Sequence, residues 1–334
     1  MKALTFQRYG KSPGIGFADL PRPTTLQPDE LLVQVHAVGL NPIDTMIPRG
    51  TFKPVLHFRL PATLGSDLAG VVVEVGSRVT RFKPGDAVYA SLFDLGLGSL
   101  AEFAVVPERV AALKPGTLDF VQAASVPMVG LTSWQALTER IVLRPGQKIF
   151  IPAGAGGIGS FAIQLARQLG AKVGTTVSSG SIELVRGLGA DEIVDYKQQD
   201  FGQVLSAYDA VLATTRGDEV VKALGILKPG GRIVSLTGPL DAAFARDKGL
   251  NVVLRWVFGL MSRRIRRLAR QRDIDYSFLF VRPDGQQLKA IGKLLDAGHI
   301  RPVIDKVFPF EQAIEALDYL AQGRAKGKVV VKIA

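Results

Sequence analysis

The sequence predicts an α/β protein that joins a β-rich, barrel-like domain to a doubly wound parallel sheet. Three observations lead to this fold class: short β-type runs broken by glycine and proline up to about residue 122, regular alternation of strand and helix from Lys148, and a glycine-rich loop at the first strand–helix turn of that alternation. With 334 residues, of which 47% are hydrophobic and 21% charged, the chain can form two such domains and bury a core in each.

The first part of the chain is predicted to be an antiparallel, barrel-like unit. Strand-like runs occupy residues 32–38, 70–76, 87–90 and 101–106. The pattern of the tail, from about residue 301, again predicts strand, helix and strand. This pattern resembles the first part of the chain more than the middle. We therefore predict that the tail folds back, giving one domain of residues 1–123 with 301–334.

The middle of the chain alternates strands and helices. Apolar strands are predicted at 148–151, 172–177, 192–194, 210–213, 232–236 and 276–281, with helical stretches between them and at 285–297. Alternation of this kind forms βαβ units, which build a parallel sheet covered by helices on both faces. The predicted second domain is 124–300, with a basic insert at about 249–273.

Composition excludes several classes of protein. Because there is no cysteine, the chain has no disulfide framework, thiolate zinc site, iron–sulfur cluster or cysteine nucleophile. The three histidines are far apart, so no metal site is predicted. The N-terminus lacks the apolar segment of a secretory signal, and the uncharged run 149–166 is broken by proline and glycine. We expect a cytoplasmic protein.

The glycine-rich loop follows the first apolar strand of the alternating region. Its glycines form the pattern Gly154-x-Gly156-x-x-Gly159, with Gly157 and Ile158 between them, and a helix follows. This spacing permits a tight turn, close approach of a pyrophosphate and close helix–strand packing, while the helix N-terminus presents free N–H groups. The loop is also compatible with a plain strand–helix turn, but its place in a βαβ series favours a dinucleotide site.

The residues after the second strand bear on the choice of cofactor. Enzymes that use NAD place a carboxylate there for the ribose 2′-hydroxyl, whereas here Val177 is followed by Ser178 and Ser179. Hydroxyl and N–H groups accept a 2′-phosphate that a carboxylate would repel, so the sequence favours NADP. The alternative is that these are ordinary turn serines.

Further short motifs occur in order along nearly the whole chain. They lie at 39–44 (GLNPID), 64–72 (LGSDLAGVV), 82–88 (FKPGDAV), 98–103 (GSLAEF), 130–134 (GLTSW), 188–191 (LGAD) and 323–329 (GRAKGKV). Together with the glycine-rich loop, they resemble the medium-chain dehydrogenase/reductase superfamily, and within it the zinc-free quinone oxidoreductase and enone reductase branch. The resemblance implies a Rossmann-type nucleotide-binding domain and a GroES-like catalytic domain.

The resemblance also implies the reaction. Zinc-dependent relatives carry a cysteine at the position of Asn41 and Gly-His-Glu where this chain has Gly65-Ser66-Asp67, so the zinc ligands are lost. Zinc-free relatives transfer a hydride from NADPH to a quinone or to the β-carbon of an enone. Asn41 and Asp44 are the candidate catalytic residues, although both also suit a turn capped by Asx hydrogen bonds. Met46 stands where relatives often have a tyrosine.

Residues of the cofactor site are carried over from the resemblance in the same way. Gly156, Gly157 and Ile158 fall in the pyrophosphate loop. The other matching positions are Ser178 and Ser179 at the 2′-phosphate, Tyr196 at the adenosine, and Thr132, Leu236, Phe278, Leu279 and Lys328 along the nicotinamide and phosphate groove. Ser181 replaces a lysine that many relatives pair with the 2′-phosphate, so the preference for NADP is weaker or uses another cation such as Arg186. For Arg186 itself, a plain place on the helix surface is the favoured interpretation.

The basic insert carries much of the net charge of +11. Seven arginines and no acid lie between 255 and 272, in a pattern typical of an amphipathic basic helix whose apolar face includes Met261, Ile265 and Leu268. Three roles are compatible with it: a surface helix packed on its own domain or on a subunit partner, a lid over a hydrophobic substrate, and a peripheral contact with an anionic membrane. Nucleic-acid binding is disfavoured, because no recognised motif or aromatic platform accompanies the charge.

Two functions of different class follow. The first is an NADPH-dependent reductase of quinones or α,β-unsaturated carbonyls, acting as a homodimer as its relatives commonly do. The second is a catalytically weak NADP(H)-binding protein that regulates a partner, a nucleic acid or a membrane contact. The glycine-rich loop and Asn41 favour the first, while Met46 and Ser181 keep the second open.

Overall fold

Residues 1–215 and 217–334 are described by the computed structural model, and they divide into two units. Unit 1 comprises Met1–Leu131 and Arg282–Ala334, and unit 2 comprises Thr132–Val281. Over these residues the strands are β1 Lys2–Phe6, β2 Gly16–Asp19, β3 Glu30–Leu40, β4 Ala62–Thr63, β5 Asp67–Val75, β6 Ala87–Ser91, β7 Phe103–Pro107, β8 Ala111–Leu113, β9 Lys148–Ile151, β10 Lys172–Val177, β11 Glu192–Asp195, β12 Tyr208–Ala213, β13 Leu227–Ser235, β14 Asp275–Phe278, β15 Ile304–Pro309 and β16 Lys328–Lys332.

The helices range in length from four residues in α6 to nineteen in α9. They are α1 Pro42–Met46, α2 Phe120–Ala124, α3 Pro127–Trp134, α4 Gly157–Gln168, α5 Ile182–Gly187, α6 Phe201–Val204, α7 Glu219–Ala223, α8 Ala242–Asp247, α9 Val252–Arg270, α10 Gly285–Asp296 and α11 Ala313–Ala321. A π-helical segment, Gln135–Arg140, continues α3. Within the described part of the chain, no helix combines the length and apolar character needed to cross a bilayer.

Unit 1 is built on the long, almost fully buried strand β3. The main sheet has the order β15-β16-β3-β5-β6-β8, with β7 also paired to β3, and a smaller sheet has the order β2-β1-β4. The tail contributes a strand to this sheet, because β16 lies antiparallel to β3 with Val331 opposite Val38. A Cβ at Gly39 would lie 2.0 Å from the carbonyl oxygen of Ala124, so the glycine lets α2 pack directly on the end of β3.

Unit 2 contains a parallel sheet of order β11-β10-β9-β12-β13-β14. Its order reverses at β9, which gives the topological switch point of a doubly wound sheet, and the glycine-rich loop follows that strand. The strands are apolar because helices cover both faces, as Phe150 and Val211, both 0% exposed, illustrate. Strands and helices therefore occur where the alternating pattern predicts them.

The unit boundaries differ from the predicted limits at 123 and 301. The helix α10, placed by the sequence in the nucleotide-binding domain, packs on β8 of unit 1. The Tyr89 hydroxyl donates to the carbonyl oxygen of Leu288 at 2.6 Å, and a Cβ at Gly285 would lie 2.3 Å from the carbonyl oxygen of Ala111. Helical periodicity reveals α10, but its packing partner depends on contacts with residues nearly 200 positions earlier.

Candidate active site

Polar side chains are buried together at one end of the main sheet of unit 1. Asn41 precedes α1, Asp44 lies within it, Asp67 opens β5 and Lys328 opens β16; none of the four is more than 5% exposed. Buried charged groups require partners, because transfer out of water is otherwise costly. These residues, with Ser66, form what we call the buried cluster.

Asn41 connects the charged members of the buried cluster. Its Nδ2 donates to Asp67 Oδ2 at 2.9 Å, and its Oδ1 accepts from Lys328 Nζ at 2.5 Å. Lys328 Nζ lies 3.6 Å from Asp67 Oδ2, which also accepts from the backbone N–H of Met128 at 3.0 Å. The amide thus spans a buried ion pair and orients both of its members.

Asp44 is held by the start of its own helix and by a neighbouring loop. Pro42 at the first helical position leaves the N-terminus without one N–H donor, and the backbone N–H of Asn41 donates to Asp44 Oδ2 at 2.7 Å. Ser66 Oγ donates to Asp44 Oδ1 at 2.5 Å. Asp44 therefore forms the Asx-type capping hydrogen bond that was the alternative for this turn. The Asn41 side-chain amide instead forms its hydrogen bonds within the buried cluster.

Burial changes the proton affinities of the buried cluster. It raises the pKa of Asp44 to about 7, although hydrogen bonds from Ser66 and Asn41 act in the opposite direction. Burial also raises the pKa of Asp67, which the charge of Lys328 counteracts, and lowers the pKa of Lys328. When Asp44 is protonated, the opposite charges of Lys328 and Asp67 cancel, and the buried cluster has no net charge.

Asp44 and Ser66 line a recess in the surface of unit 1. The rest of its wall is mainly apolar and partly aromatic, formed by Phe6, Ile47, Phe58, Thr63, Leu64, Gly65, Leu92, Phe93, Asp94 and Leu97. This lining combines apolar side chains with the Ser66–Asp44 hydroxyl–carboxyl pair, the chemistry that a weakly polar molecule with an oxygen acceptor requires. Among residues 1–215 and 217–334, no group of three or more His, Cys, Asp or Glu side chains is arranged to hold a metal ion.

The glycine-rich loop of unit 2 fits a dinucleotide pyrophosphate. A Cβ at Gly154 would lie 2.2 Å from Thr175 Oγ1, and one at Gly159 would lie 2.4 Å from the carbonyl oxygen of Ala153, so neither position has room for a side chain. The helix α4 starts after Gly156 without a side-chain cap, which leaves the N–H groups of its first turn available to an anion.

The segment after β10 contacts a carboxylate that sequence reasoning missed. Ser179 Oγ donates to Asp195 Oδ2 at the end of the neighbouring strand β11, and this hydrogen bond holds the pKa of Asp195 below its usual range. Tyr196, 60% exposed, follows directly. Arg186, the alternative cation, contacts Glu183 one helical turn away and lies on the helix surface. A negative charge therefore stands beside the serines predicted to accept a 2′-phosphate.

The remaining predicted positions lie at strand ends or in α3. The backbone N–H of Leu236 donates to Ala213 and that of Leu279 to Ser235, so both residues follow strands of the parallel sheet at its carboxyl edge. Phe278 ends β14 and is 6% exposed, and Thr132 in α3 is 5% exposed. Lys328 lies in the buried cluster of unit 1. The assignment of these residues to a cofactor stays a prediction.

Ser66 and Asp67 are the members of the buried cluster that the sequence identified only as lost zinc positions. A signal for them was available, because Asp67 and Lys328 each open a strand whose other residues are largely apolar and buried. Oppositely charged residues at the start of two buried strands predict a buried ion pair.

Known proteins match this chain along its length. Residues 27–116 match the family described as alcohol dehydrogenase GroES-like domain, and residues 188–331 match the family described as zinc-binding dehydrogenase. The mitochondrial NAD(P)H oxidoreductase RTN4IP1 of Danio rerio is 34% identical, with 100% of this chain and 91% of the relative covered. The chloroplastic NADPH-dependent alkenal/one oxidoreductase of Arabidopsis thaliana is 34% identical, with 99% and 79% covered.

A solved structure agrees with these matches. The quinone oxidoreductase from Coxiella burnetii superposes with a TM-score of 0.86 at 30% identity, covering 100% of this chain and 99% of that one. The predicted fold class, a GroES-like domain with a Rossmann-type parallel sheet, is confirmed.

Proposed function

Because the chain belongs to the medium-chain dehydrogenase/reductase superfamily, in its quinone oxidoreductase branch, we propose that it is an NADPH-dependent reductase of quinones or α,β-unsaturated carbonyls that works without zinc. Its relatives support the coarser statement that it is an oxidoreductase with a nicotinamide cofactor. The observation that carries the finer proposal is the Ser66–Asp44 pair at the wall of an apolar recess.

The residues of unit 2 would hold the cofactor by its phosphates and adenosine. The free N–H groups at the start of α4, from Gly157 onward, point to the pyrophosphate as the group they bind. Ser178 would donate to a 2′-phosphate, and Ser179 would do so once its hydroxyl turns away from Asp195. Tyr196 would pack on the adenosine. When bound, the cofactor supplies the hydride; the chain itself supplies orientation and a proton.

The buried cluster would supply that proton. A carboxyl group with a pKa of about 7 is still half protonated near neutral pH, and its Oδ1 lies 2.5 Å from Ser66 Oγ. Asp44 can therefore give its proton to Ser66 while the Ser66 hydroxyl donates to the substrate oxygen that becomes negative during reduction. Asn41, Asp67 and Lys328 hold Asp44 and its helix in place.

The proposal of zinc independence rests on charge. The position of a zinc ligand is taken by Asn41, a neutral amide whose oxygen already accepts from the Lys328 ammonium at 2.5 Å. A divalent cation at this point would be repelled by that ammonium and would find a hydroxyl at Ser66 instead of an imidazole. Dialysis against a chelator is expected to leave the activity unchanged, and elemental analysis is expected to find no stoichiometric zinc.

The decisive experiment combines binding and turnover. Fluorescence titration with NADPH and NADH is expected to show NADPH binding, and NADPH consumption is expected with 1,4-benzoquinone, 9,10-phenanthrenequinone or a short enone. Asp44→Asn should lower kcat about 100-fold with little effect on NADPH binding, whereas Asp318→Asn, which removes an exposed carboxylate, should have wild-type activity.

Other outcomes would change the assignment. Binding without turnover on any acceptor would support a regulatory NADP(H)-binding protein instead. Equal activity of Asp44→Asn and the wild type would remove Asp44 from the reaction. A homodimer, to be tested by sedimentation, and a cytoplasmic location complete the proposal; some relatives are mitochondrial or chloroplastic by name, so location in cells needs its own measurement.

A further inference from the structure

Helix α9 has an inner face that anchors it to unit 2. Phe258, Ser262, Ile265 and Ala269 recur every three or four residues and are at most 7% exposed. Phe258 stacks on Phe244 of α8 with ring centroids 6.1 Å apart. Ile265 and Ala269 belong to the same hydrophobic core as the central strands of unit 2. The helix is therefore a fixed part of the unit, with one side available to other molecules.

The outer face of α9 is apolar along its first half. Val252 and Val253 are 75% and 67% exposed, Trp256 is 67% exposed and Leu260 is 46% exposed. At about 100° per residue, Val253, Trp256 and Leu260 lie in one row opposite the buried residues. Met261, predicted to share an apolar face with Ile265 and Leu268, is 52% exposed, since it lies to the side of the buried row.

The second half of the same outer face is cationic. Arg263, Arg264, Arg267 and Arg270 are exposed, and they continue the row that Val253, Trp256 and Leu260 begin. No acidic residue occurs between 255 and 272. Among the described residues, these four side chains have no ion pair or hydrogen bond. Hydrophobic and cationic groups on one exposed helix face are the pattern of a helix that lies in a bilayer interface.

We propose that the outer face of α9 docks on the surface of an anionic lipid bilayer. Val253, Trp256 and Leu260 would enter the boundary between headgroups and acyl chains, where indole rings are favoured, and the arginines would contact lipid phosphates. The helix would lie parallel to the surface and would not cross it. This docking goes beyond the proposed reductase activity and does not depend on it.

Charge complementarity selects this occupant over others. A second copy of the chain docked through the same face would bring arginines against arginines, because the face has no acid to pair with them. Single-stranded RNA would need several stacking rings, and Trp256 is the aromatic side chain of the row. A bilayer provides both many negative phosphates and an apolar layer within reach of one helix.

Co-sedimentation of the full chain with vesicles tests the proposal. The probes are phosphatidylcholine vesicles with and without about 30 mol% phosphatidylserine, at low and high salt. We expect binding to the anionic vesicles alone, weakened by salt, and a shift of Trp256 fluorescence to shorter wavelength that Trp256→Phe abolishes. The triple variant Arg263→Gln/Arg264→Gln/Arg267→Gln should lower the partition coefficient about 100-fold, at about fivefold for each arginine.

A matched control separates local from total charge. The triple variant Arg78→Gln/Arg109→Gln/Arg144→Gln removes three exposed charges from elsewhere on the chain and should bind vesicles within about twofold of the wild type. Circular dichroism and reduction of a water-soluble quinone, measured on every variant, check the fold and the proposed activity separately from docking. A chain with no reductase activity but with salt-sensitive vesicle binding would support docking and refute only the enzyme.

The proposal is overturned by any of four results. The first is that the chain does not bind vesicles at low salt, and the second is that the two triple variants lose binding equally. The third is that the chain lacks vesicle affinity but self-associates, and Leu260→Gln abolishes that self-association. The fourth is that the chain binds RNA more tightly than anionic vesicles. If the chain does not bind vesicles and folded α9 variants lose quinone reduction, α9 is instead a lid over the substrate.

Discussion

Replacement of Asp44 by asparagine removes a titrating group from the buried cluster and keeps its shape. The amide oxygen can still accept from the backbone N–H of Asn41, and the amide nitrogen can donate to Ser66 Oγ. In the wild type, burial raises the pKa of Asp44 from 3.8 to about 7. The folded state therefore holds a proton between pH 4 and 7 that the unfolded chain has released.

The sign of the effect on stability follows from this difference. Because the folded state binds more protons over that range, the free energy of unfolding decreases as pH rises from about 4 to about 7, and the contribution of Asp44 is constant above pH 7. A pKa difference of about three units corresponds to about 4 kcal/mol, or about 1.4 kcal/mol for each pH unit. Asp44→Asn should lose this slope and become more stable than the wild type above pH 7.

Urea denaturation at pH 5, 6, 7 and 8 measures the slope. The difference in unfolding free energy between wild type and Asp44→Asn should change by about 2.3 kcal/mol between pH 5 and 7, whereas that between wild type and Asp318→Asn should stay nearly constant. Ser66→Ala should extend the slope to higher pH, because it removes a hydrogen bond that lowers the Asp44 pKa. Equal pH dependence in wild type and Asp44→Asn would refute a raised pKa at this position.

Three further predictions concern the buried cluster and the cofactor loop. Lys328→Met leaves Asp67 buried without its cation and should lower the unfolding free energy by about 3–5 kcal/mol in urea denaturation. Gly159→Ala should weaken NADPH binding at least about tenfold in fluorescence titration because its Cβ has no space, whereas Gly16→Ala, whose Cβ meets nothing within 4 Å, should bind normally. Asp195→Asn should raise the kcat/KM ratio for NADPH over NADH about tenfold, and an unchanged ratio would place the 2′-phosphate elsewhere.

The fold was predictable because its signals are local. Alternation of apolar strands with helices, and the glycines after β9, are each visible in a few consecutive residues and predict a doubly wound parallel sheet directly. The boundaries between the units were harder to predict from the sequence. Helix α10 has ordinary helical periodicity, and only its contact with Tyr89 assigns it to unit 1.

The buried cluster was predictable only in part. Asn41 and Asp44 are neighbours in sequence and were identified together, but the hydrogen bond of Lys328 to Asn41 joins residues 287 positions apart. Asp195 was missed because the pattern for NAD enzymes concerns the end of β10, while this carboxylate reaches Ser179 from β11. In both cases the pairing of strands brings together groups whose spacing along the chain has no regular value.

The position of β16 in the main sheet of unit 1 constrains the order of events during synthesis. Unit 2 is one continuous segment, Thr132–Val281, so all of it is synthesised before residues 282–334, which belong to unit 1. Unit 1 must wait for those residues, because β3 pairs with β16 and Asp67 receives its cation from Lys328. Until then the nascent chain carries an unpaired edge of β3 and a carboxylate without its partner, and it needs protection from aggregation through that edge.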